Sequence, residues 1–297
     1  MPHVLLPAPY DFELSTARFR AYGPDLANLW CDGALWRVVG GGAVRIAAVS
    51  SPDANTAAAA GAVAVAVDPC DPAIAAEVLQ LLGAPHDLEG FTAFVAASGD
   101  PVLQGLLARF PGFRPPLAPG PFEALVTAIT AQQVSLFSAV AVRNRLIAAY
   151  GEPGRREAPG GPAPVVHAFP AADRLAAADP EALVPLGLSR RKAEYVVGVA
   201  GEMDSLTGLA ALADDEVKAR LVAIRGLGEW TADWFLARQL ARPRAWPAVD
   251  LVLRKACSCL YADGRDLPTA EVRALGERFA PFQNLTAQLL LLGNTMP

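Results

Sequence analysis

One aspartate, Asp250, has the type and position of a residue that could do chemistry. It follows Trp246-Pro247 at the predicted start of a helix, 22 residues after Gly228 of the segment IRGLGEWTADW (224–234). An ionised carboxylate placed there can stabilise positive charge that develops in a transition state, and the helix dipole favours the ionised form. The usual role of an aspartate at a helix start is to cap the helix, so both interpretations apply to Asp250.

The segment 224–234 ends one predicted helix and starts another at two glycines, Gly226 and Gly228. Glycine adopts the backbone angles of a tight turn and lets another molecule approach the main chain. We expect the new helix to begin at about Glu229, where its first N–H groups have no partner within the helix. Such amides, with the helix dipole behind them, can bind a phosphate without reading a base sequence. The alternative is a plain corner between two helices with a glycine cap.

Two tryptophans, Trp230 and Trp234, follow the glycines and lie four residues apart. This spacing places both side chains on one face of the predicted helix. Electron-rich indole rings can stack on an electron-poor or cationic ring. Ordinary packing in the hydrophobic core is the alternative for each of them.

Composition limits the class of protein. Of the 297 residues, 53% are apolar and 19% are charged, and this length favours two or three domains. The weakly polar run at 56–67 is too short to span a bilayer, and residues 1–12 lack the pattern of a signal peptide, so we expect a cytoplasmic protein. The four cysteines and three histidines form no metal-binding motif, so no metal site is predicted.

The net charge of −5 is unevenly distributed. Residues 1–119 carry 6 basic and 11 acidic side chains, whereas residues 120–297 carry 19 of each. A net negative charge argues against a nucleic-acid partner, but the second part of the chain is balanced. Phosphate binding through main-chain amides needs little net positive charge, so the charge does not exclude such a partner.

The first 85 residues have a mixed pattern. Two β-favouring runs about a triple glycine, within 35–49, predict a hairpin; 62–67 predicts a strand, and Asp71-Pro72 opens a helix. No Lys-Ser/Thr follows the triple glycine, so a turn is favoured over a phosphate loop. From residue 86 onward the pattern is helical, with a proline-rich connector at 110–121 and a predicted surface loop at 152–164. The sequence therefore predicts an α+β domain at 1–85 and a mostly helical region at 86–297.

Several segments together resemble a known family. The run LVAIRGLGEWTADWFLARQL followed by AWPAVDLVLRKA is similar to the helix-hairpin-helix (HhH-GPD) DNA glycosylase superfamily, and within it to the AlkA-like 3-methyladenine DNA glycosylases II. The segments PAPYDF, AITAQQVSLFSA, GLSRRKAEYV and FAPF fit the same family. The resemblance implies a small amino-terminal TBP-like domain of β-sheet and helix, then a two-lobed all-α body. It places the hairpin at about 221–236 and the segment of the catalytic aspartate at 246–256.

The resemblance also assigns roles to residues. It implies that Asp250 is the catalytic carboxylate, which stabilises an oxocarbenium-like sugar while an N-glycosidic bond is hydrolysed. The residues that it implies bind DNA are Gly226, Gly228, Glu229, Trp230, Thr231 and Gln133. The residues that it implies line the pocket for the flipped base are Trp230, Trp234, Phe282 and Gln132.

The expected reaction is release of an alkylated, 3-methyladenine-type purine, which carries positive charge and leaves without much protonation. Family members that also cleave the strand have a lysine at the position of Trp230, so no lyase activity is expected. The resemblance implies that Gln133 fills the gap left by the flipped base, where a leucine is more usual. Gln283-Asn284 is a second departure, because Arg-Ser is expected there.

Two alternatives remain at this point: a glycosylase of the same fold for oxidised or deaminated bases, and a helix-hairpin-helix DNA-binding protein without chemistry. Asp250 argues against the second, because a carboxylate near DNA repels phosphate. No organic cofactor is expected, although carbonyl groups of the hairpin could hold a monovalent cation. The expected partner is double-stranded DNA with damaged bases, bound by a monomer that associates with the bacterial nucleoid when on DNA.

Overall fold

The amino-terminal part of the chain forms an antiparallel sheet. The computed structural model describes residues 2–49, 61–154 and 164–295. Five strands lie in the order β1-β5-β4-β3-β2. They are β1 His3–Pro7, β2 Leu29–Cys31, β3 Ala34–Val39, β4 Gly42–Ala48 and β5 Ala62–Asp68. The hairpin predicted about the triple glycine is confirmed as β3 and β4, in which Val39 pairs with Gly42 and Leu35 pairs with Ile46.

Fourteen α-helices are found in the described ranges. They are α1 Phe12–Thr16, α2 Pro72–Leu81, α3 Leu88–Ser98, α4 Pro101–Arg109, α5 Pro121–Ala131, α6 Leu136–Tyr150, α7 Ala172–Ala176, α8 Pro180–Leu183, α9 Arg190–Gly201, α10 Asp214–Val222, α11 Glu229–Arg238, α12 Leu251–Tyr261, α13 Thr269–Glu277 and α14 Gln283–Thr295. The Asp71 side chain caps α2, as predicted, by accepting from the Ile74 amide at 2.8 Å. Of the predicted surface loop, residues 155–163 lie outside the described residues. In the described ranges, no helix is long and apolar enough to cross a membrane.

The helical region has two cores, which confirms the expected two lobes. The first lobe, built from α5 to α11, packs around a core that includes Leu125, Ile129, Leu146, Val196, Leu221 and Phe235. The second lobe combines α3 and α4 with α12 to α14, and its core includes Phe91, Leu103, Leu253, Val272, Phe279 and Leu289. Because the second lobe is built from both ends of the helical region, the chain passes twice between the lobes. Asp250, at the start of α12, accepts hydrogen bonds from Trp230 and Trp234 of α11 across that junction.

Buried charges fix the sheet against the first lobe. Arg37 of β3 is bonded to Glu77 of α2 at 2.9 Å and to Glu123 of α5 at 2.7 Å. Arg143 of α6 is bonded to Glu123 at 2.7 Å and also to Asp25. Burial alone would raise the pKa of Glu123, but the two guanidinium groups bring it below its ordinary value. Removal of one partner leaves an unpaired buried charge, which costs about 3–5 kcal/mol, so this network holds the sheet in place.

Candidate active site between the helical lobes

The predicted hairpin is formed by α10, a tight turn and α11, which begins at Glu229 as expected. Gly226 has φ +95°, and a Cβ atom there would overlap the ring of Tyr195 on α9, so glycine is needed for both its angle and its size. Gly228 has φ −118°, and nothing lies within 4 Å of the place where its Cβ would be. The first glycine therefore shapes the turn, and the second leaves the helix start open.

Main-chain donors without an acceptor lie at the start of α11. Gly228 has no side chain to cap the helix, and the first helical bond runs from the Ala232 amide to the Gly228 carbonyl at 3.0 Å. The amides of residues 228–231 have no acceptor within the part of the chain that the structure describes. The side chain of Thr231 is buried, and that of Glu229 is paired with Arg273. DNA binding by Glu229 and Thr231 stays a prediction; for Glu229 it concerns the amide, whereas Thr231 is buried as a whole residue.

Asp250 both caps a helix and faces the hairpin. Its Oδ1 atom accepts from the amides of Val252 and Leu253, each at 2.9 Å, at the start of α12. Its Oδ2 atom accepts from the indole Nε1 of Trp230 at 2.7 Å and from that of Trp234 at 3.0 Å. A carboxylate offers about four acceptor positions, and here all four are used. The capping interpretation is therefore confirmed, and the same group presents its charge to the hairpin helix.

The two indoles present their N–H edges, rather than their faces, to Asp250. Trp234 is 5% exposed, and the guanidinium carbon of Arg238 lies 3.7 Å from the centre of its ring. One face of Trp234 is thus covered by a cation, which reduces its capacity to stack on a cationic base. Trp230 is partly exposed. Stacking of a base on either ring stays a prediction, and it is better supported for Trp230.

The turn between α5 and α6 contacts the hairpin. The side-chain amide of Gln132 donates to the carbonyl of Gly226 at 3.0 Å, so one hairpin carbonyl is already engaged. Gln133 is exposed and has φ +56°, so the main chain leaves the helical path at this residue. In the described residues, no group of three or more His, Cys, Asp or Glu side chains could hold a metal ion. The roles of Gln132 in the pocket, of Gln133 as a gap filler and of the carbonyls as a cation site stay predictions.

Phe282 lies in the second lobe, within an aromatic cluster. Its ring centre is 5.9 Å from that of Phe91 and 5.5 Å from that of Phe94. The neighbouring Asn284 is fully buried and donates from its side-chain amide to the carbonyl of Ala237 at 2.9 Å, which ties α14 to α11. This departure from the family pattern therefore has a structural role between the lobes. The pocket role of Phe282 stays a prediction.

Sequence reasoning missed Arg238, whose charge interacts with that of Asp250, and Arg18, whose charge acts on Arg238. Arg238 lies four residues after Trp234, so the same helical spacing that joined the tryptophans could have included it. The Nε atom of Arg238 donates to Gln288 Oε1 on α14 at 3.3 Å. Arg18, just after α1, lies close enough to Arg238 for its charge to act on it. No local pattern connects residue 18 with residue 238, so the sequence alone could not have paired them.

Comparison with known proteins identifies the family of this chain. The HhH-GPD superfamily of base excision DNA repair proteins matches residues 126–281. The chain belongs to this family. The match includes the hairpin, both indoles and Asp250, and it begins inside α5.

The chain is also similar to individual curated proteins and to a solved structure. The chain is 36% identical over 205 residues to the probable bifunctional transcriptional activator/DNA repair enzyme AlkA of Mycobacterium tuberculosis, covering 67% of this chain and 38% of the relative. It is 31% identical over 192 residues to DNA-3-methyladenine glycosylase 2 of Escherichia coli, covering 62% of each. The chain thus spans less than two thirds of the length of these curated relatives. The 3-methyladenine DNA glycosylase of Archaeoglobus fulgidus aligns with TM-score 0.84 and 28% identity, covering 100% of this chain and 99% of that one.

Proposed function

We propose that this protein is a monofunctional DNA glycosylase that hydrolyses the N-glycosidic bond of alkylated purines in double-stranded DNA, within base excision repair. The observation that carries the proposal is the position of Asp250, held by the two indoles of the helix whose first amides are free. Relatives named as DNA-3-methyladenine glycosylases support the choice of substrate.

The site suits this reaction by electrostatics. A phosphate bound at the start of α11 would place the adjoining sugar near Asp250, whose carboxylate accepts from Trp230 in the first turn of that helix. Positive charge that develops on the sugar is stabilised by the carboxylate through space. All four acceptor positions of Asp250 are occupied, so the group acts on the sugar through its charge. An alkylated purine is already cationic and needs no acid to leave, so this arrangement is sufficient for it.

A second part of the proposal is the absence of strand cleavage. A lyase needs an amine that forms a Schiff base with the sugar. The position beside Asp250 holds Trp230, whose indole nitrogen is a donor only. Incubation with damaged DNA and borohydride should therefore trap no covalent adduct, and a trapped adduct would contradict this part of the proposal.

Base release decides the main proposal. Wild type should release methylated purines from duplex DNA, and Asp250→Asn should lose at least about a hundredfold in rate. Asparagine is a good helix cap, so the variant should fold and still bind DNA. Duplex binding by wild type without release of any base from a panel of alkylated, oxidised and deaminated lesions would instead indicate a binding protein without chemistry. The same experiments, run with size-exclusion chromatography, test the proposed monomer.

A further inference from the structure

Three residues of α11 form one stripe along the helix. Trp230, Trp234 and Arg238 follow each other at intervals of four, so their side chains share a face. With 1.5 Å per residue, the stripe extends about 12 Å from the helix start. The open amides and the indoles that hold Asp250 occupy its first part, and the guanidinium of Arg238 occupies its far end. A nucleotide whose phosphate sits on the amides and whose sugar faces Asp250 would direct its base along this stripe.

The guanidinium of Arg238 is fixed by two contacts, but some of its N–H donors have no acceptor. It stacks on Trp234 at 3.7 Å, and its Nε atom donates to Gln288 Oε1 at 3.3 Å. Its terminal nitrogens, Nη1 and Nη2, have no acceptor among the residues that the structure describes, and no described carboxylate is ion-paired with it. A buried guanidinium usually satisfies its donors with carboxylates or carbonyl oxygens. Arg238 is therefore a partly buried cation with N–H groups to spare.

The orientation of Arg238 is fixed from the second lobe. Gln288, which accepts from its Nε atom, donates in turn to Asn284 Oδ1 at 3.4 Å. Asn284 is anchored to the carbonyl of Ala237 at 2.9 Å. The guanidinium is thus clamped between an amide pair and an indole, which limits the directions in which its free N–H groups can point.

The charges around Arg238 and its burial affect its pKa and the kind of base that it can accommodate. Burial lowers the pKa of Arg238, and the positive charge of Arg18 lowers it further, whereas the charge of Asp250 acts in the opposite direction. Arginine remains protonated at neutral pH in proteins, so the site keeps its cation. A second cation, such as an alkylated base, is repelled there unless it brings an oxygen that accepts from the guanidinium.

We infer that Arg238 is a specificity-determining residue, which donates a hydrogen bond from its terminal nitrogens to an oxygen on the edge of the flipped base. The inference rests on the proposed function. It divides the alkylated purines into two groups. Those with a carbonyl oxygen at C6, such as 7-methylguanine, gain a charge-assisted hydrogen bond, whereas those with an amino group at C6, such as 3-methyladenine, face the cation without one.

The test compares these two bases in wild type, Arg238→Met and Arg238→Lys. Methionine keeps the length and the contact with Trp234, and lysine keeps the charge but not the planar fork. For Arg238→Met, kcat/KM for 7-methylguanine should fall about tenfold to hundredfold, the size of a hydrogen bond to a charged group. Release of 3-methyladenine should stay equal or rise, which also shows that the variant is folded. Arg238→Lys should fall between wild type and Arg238→Met for 7-methylguanine.

Two controls separate this inference from the proposed function. Arg220→Met removes an exposed arginine of α10, paired only along its own helix with Glu216, and should change neither rate. The second control measures recognition without catalysis. It compares the binding of duplexes that carry 2′-fluorinated 7-methylguanine or 3-methyladenine nucleotides, which resist cleavage. Equal losses for both bases in Arg238→Met, or no preference in binding for either protein, would overturn the role of Arg238. A different result would overturn the proposed function alone. In that case wild type releases neither base but still prefers the 7-methylguanine duplex in binding, and Arg238→Met loses this preference.

Discussion

Trp234 and Asp250 are joined by a hydrogen bond across the junction of the two helical lobes, from Nε1 to Oδ2 at 3.0 Å. The other oxygen of the same carboxylate caps α12. The Asp250 side chain thus has three roles: it joins the two lobes, caps α12 and carries the candidate catalytic charge. Because Trp234 is also covered by Arg238, the hairpin helix supplies both the support of the carboxylate and the cation at the far end of the stripe.

The two indole bonds to Asp250 should differ in strength because Trp234 is buried and Trp230 is partly exposed. A double-mutant cycle that combines each Trp→Phe change with Asp250→Asn isolates each bond. We expect a coupling energy of about 1.5–3 kcal/mol for Trp234, the range for bonds to charged groups. For Trp230 we expect less, since water can replace the lost donor. Urea unfolding measures both, and equal couplings would contradict the difference in burial.

The hairpin glycines should respond in opposite ways to alanine. Gly226→Ala places a methyl group at φ +95° and against the Tyr195 ring, so it should lower the free energy of unfolding by at least about 1–2 kcal/mol. Gly228→Ala has an ordinary φ and open space, so it should leave stability unchanged or raise it by about 0.4–1 kcal/mol. Its methyl group lies beside the free amides, so binding of duplex DNA should weaken. Unaltered DNA affinity in Gly228→Ala would argue against phosphate binding at this helix start.

Local signals account for what the sequence could predict. The start of α11 at Glu229, the cap at Asp71 and the hairpin about the triple glycine each depend on a few adjacent residues, and all three are confirmed. Asp250 had two interpretations, and its capping role could be expected from its position alone. The hydrophobic pattern alone predicted an α+β domain followed by a helical region. The division of the helical region into two lobes came from the resemblance to a family.

What the sequence could not predict depends on distant contacts. Strand β1 is short and ends in a proline, and it is ordered by pairing with β5, in which His3 lies opposite Ala66. The bonds between the indoles and Asp250 require the two lobes to dock, and the position of Arg238 depends on Gln288 from α14. Such contacts join residues 16 to 63 positions apart, and no periodic pattern records them.

Acid should destabilise the protein through His86. This side chain is buried where α3 approaches the proline-rich connector, and burial, followed by the charge of Arg114, lowers its pKa to about 3. The unfolded chain, with an ordinary histidine pKa near 6.5, binds more protons between pH 6.5 and 3. Stability from this group is therefore complete above pH 6.5 and falls as pH decreases, by up to about 1.4 kcal/mol per pH unit. Urea unfolding from pH 7 to 4 should show a shallower slope in His86→Gln, and identical slopes would contradict a neutral buried His86.

Gln133 should act on the DNA rather than on the fold. It is exposed at φ +56° in the turn between α5 and α6, and the side chains of Val134, Leu136 and Phe137 beside it are exposed as well. Gln133→Ala should leave the melting temperature nearly unchanged but reduce kcat/KM for base release, because a short side chain cannot fill the gap in the duplex. Gln133→Leu has a similar size without the amide. If volume is what matters, leucine restores the rate; if the amide bonds to the orphaned base, leucine restores it only in part and removes any dependence on the opposite base. Measurement with each of the four opposite bases decides between the two, and an unchanged rate in Gln133→Ala would exclude Gln133 from base flipping.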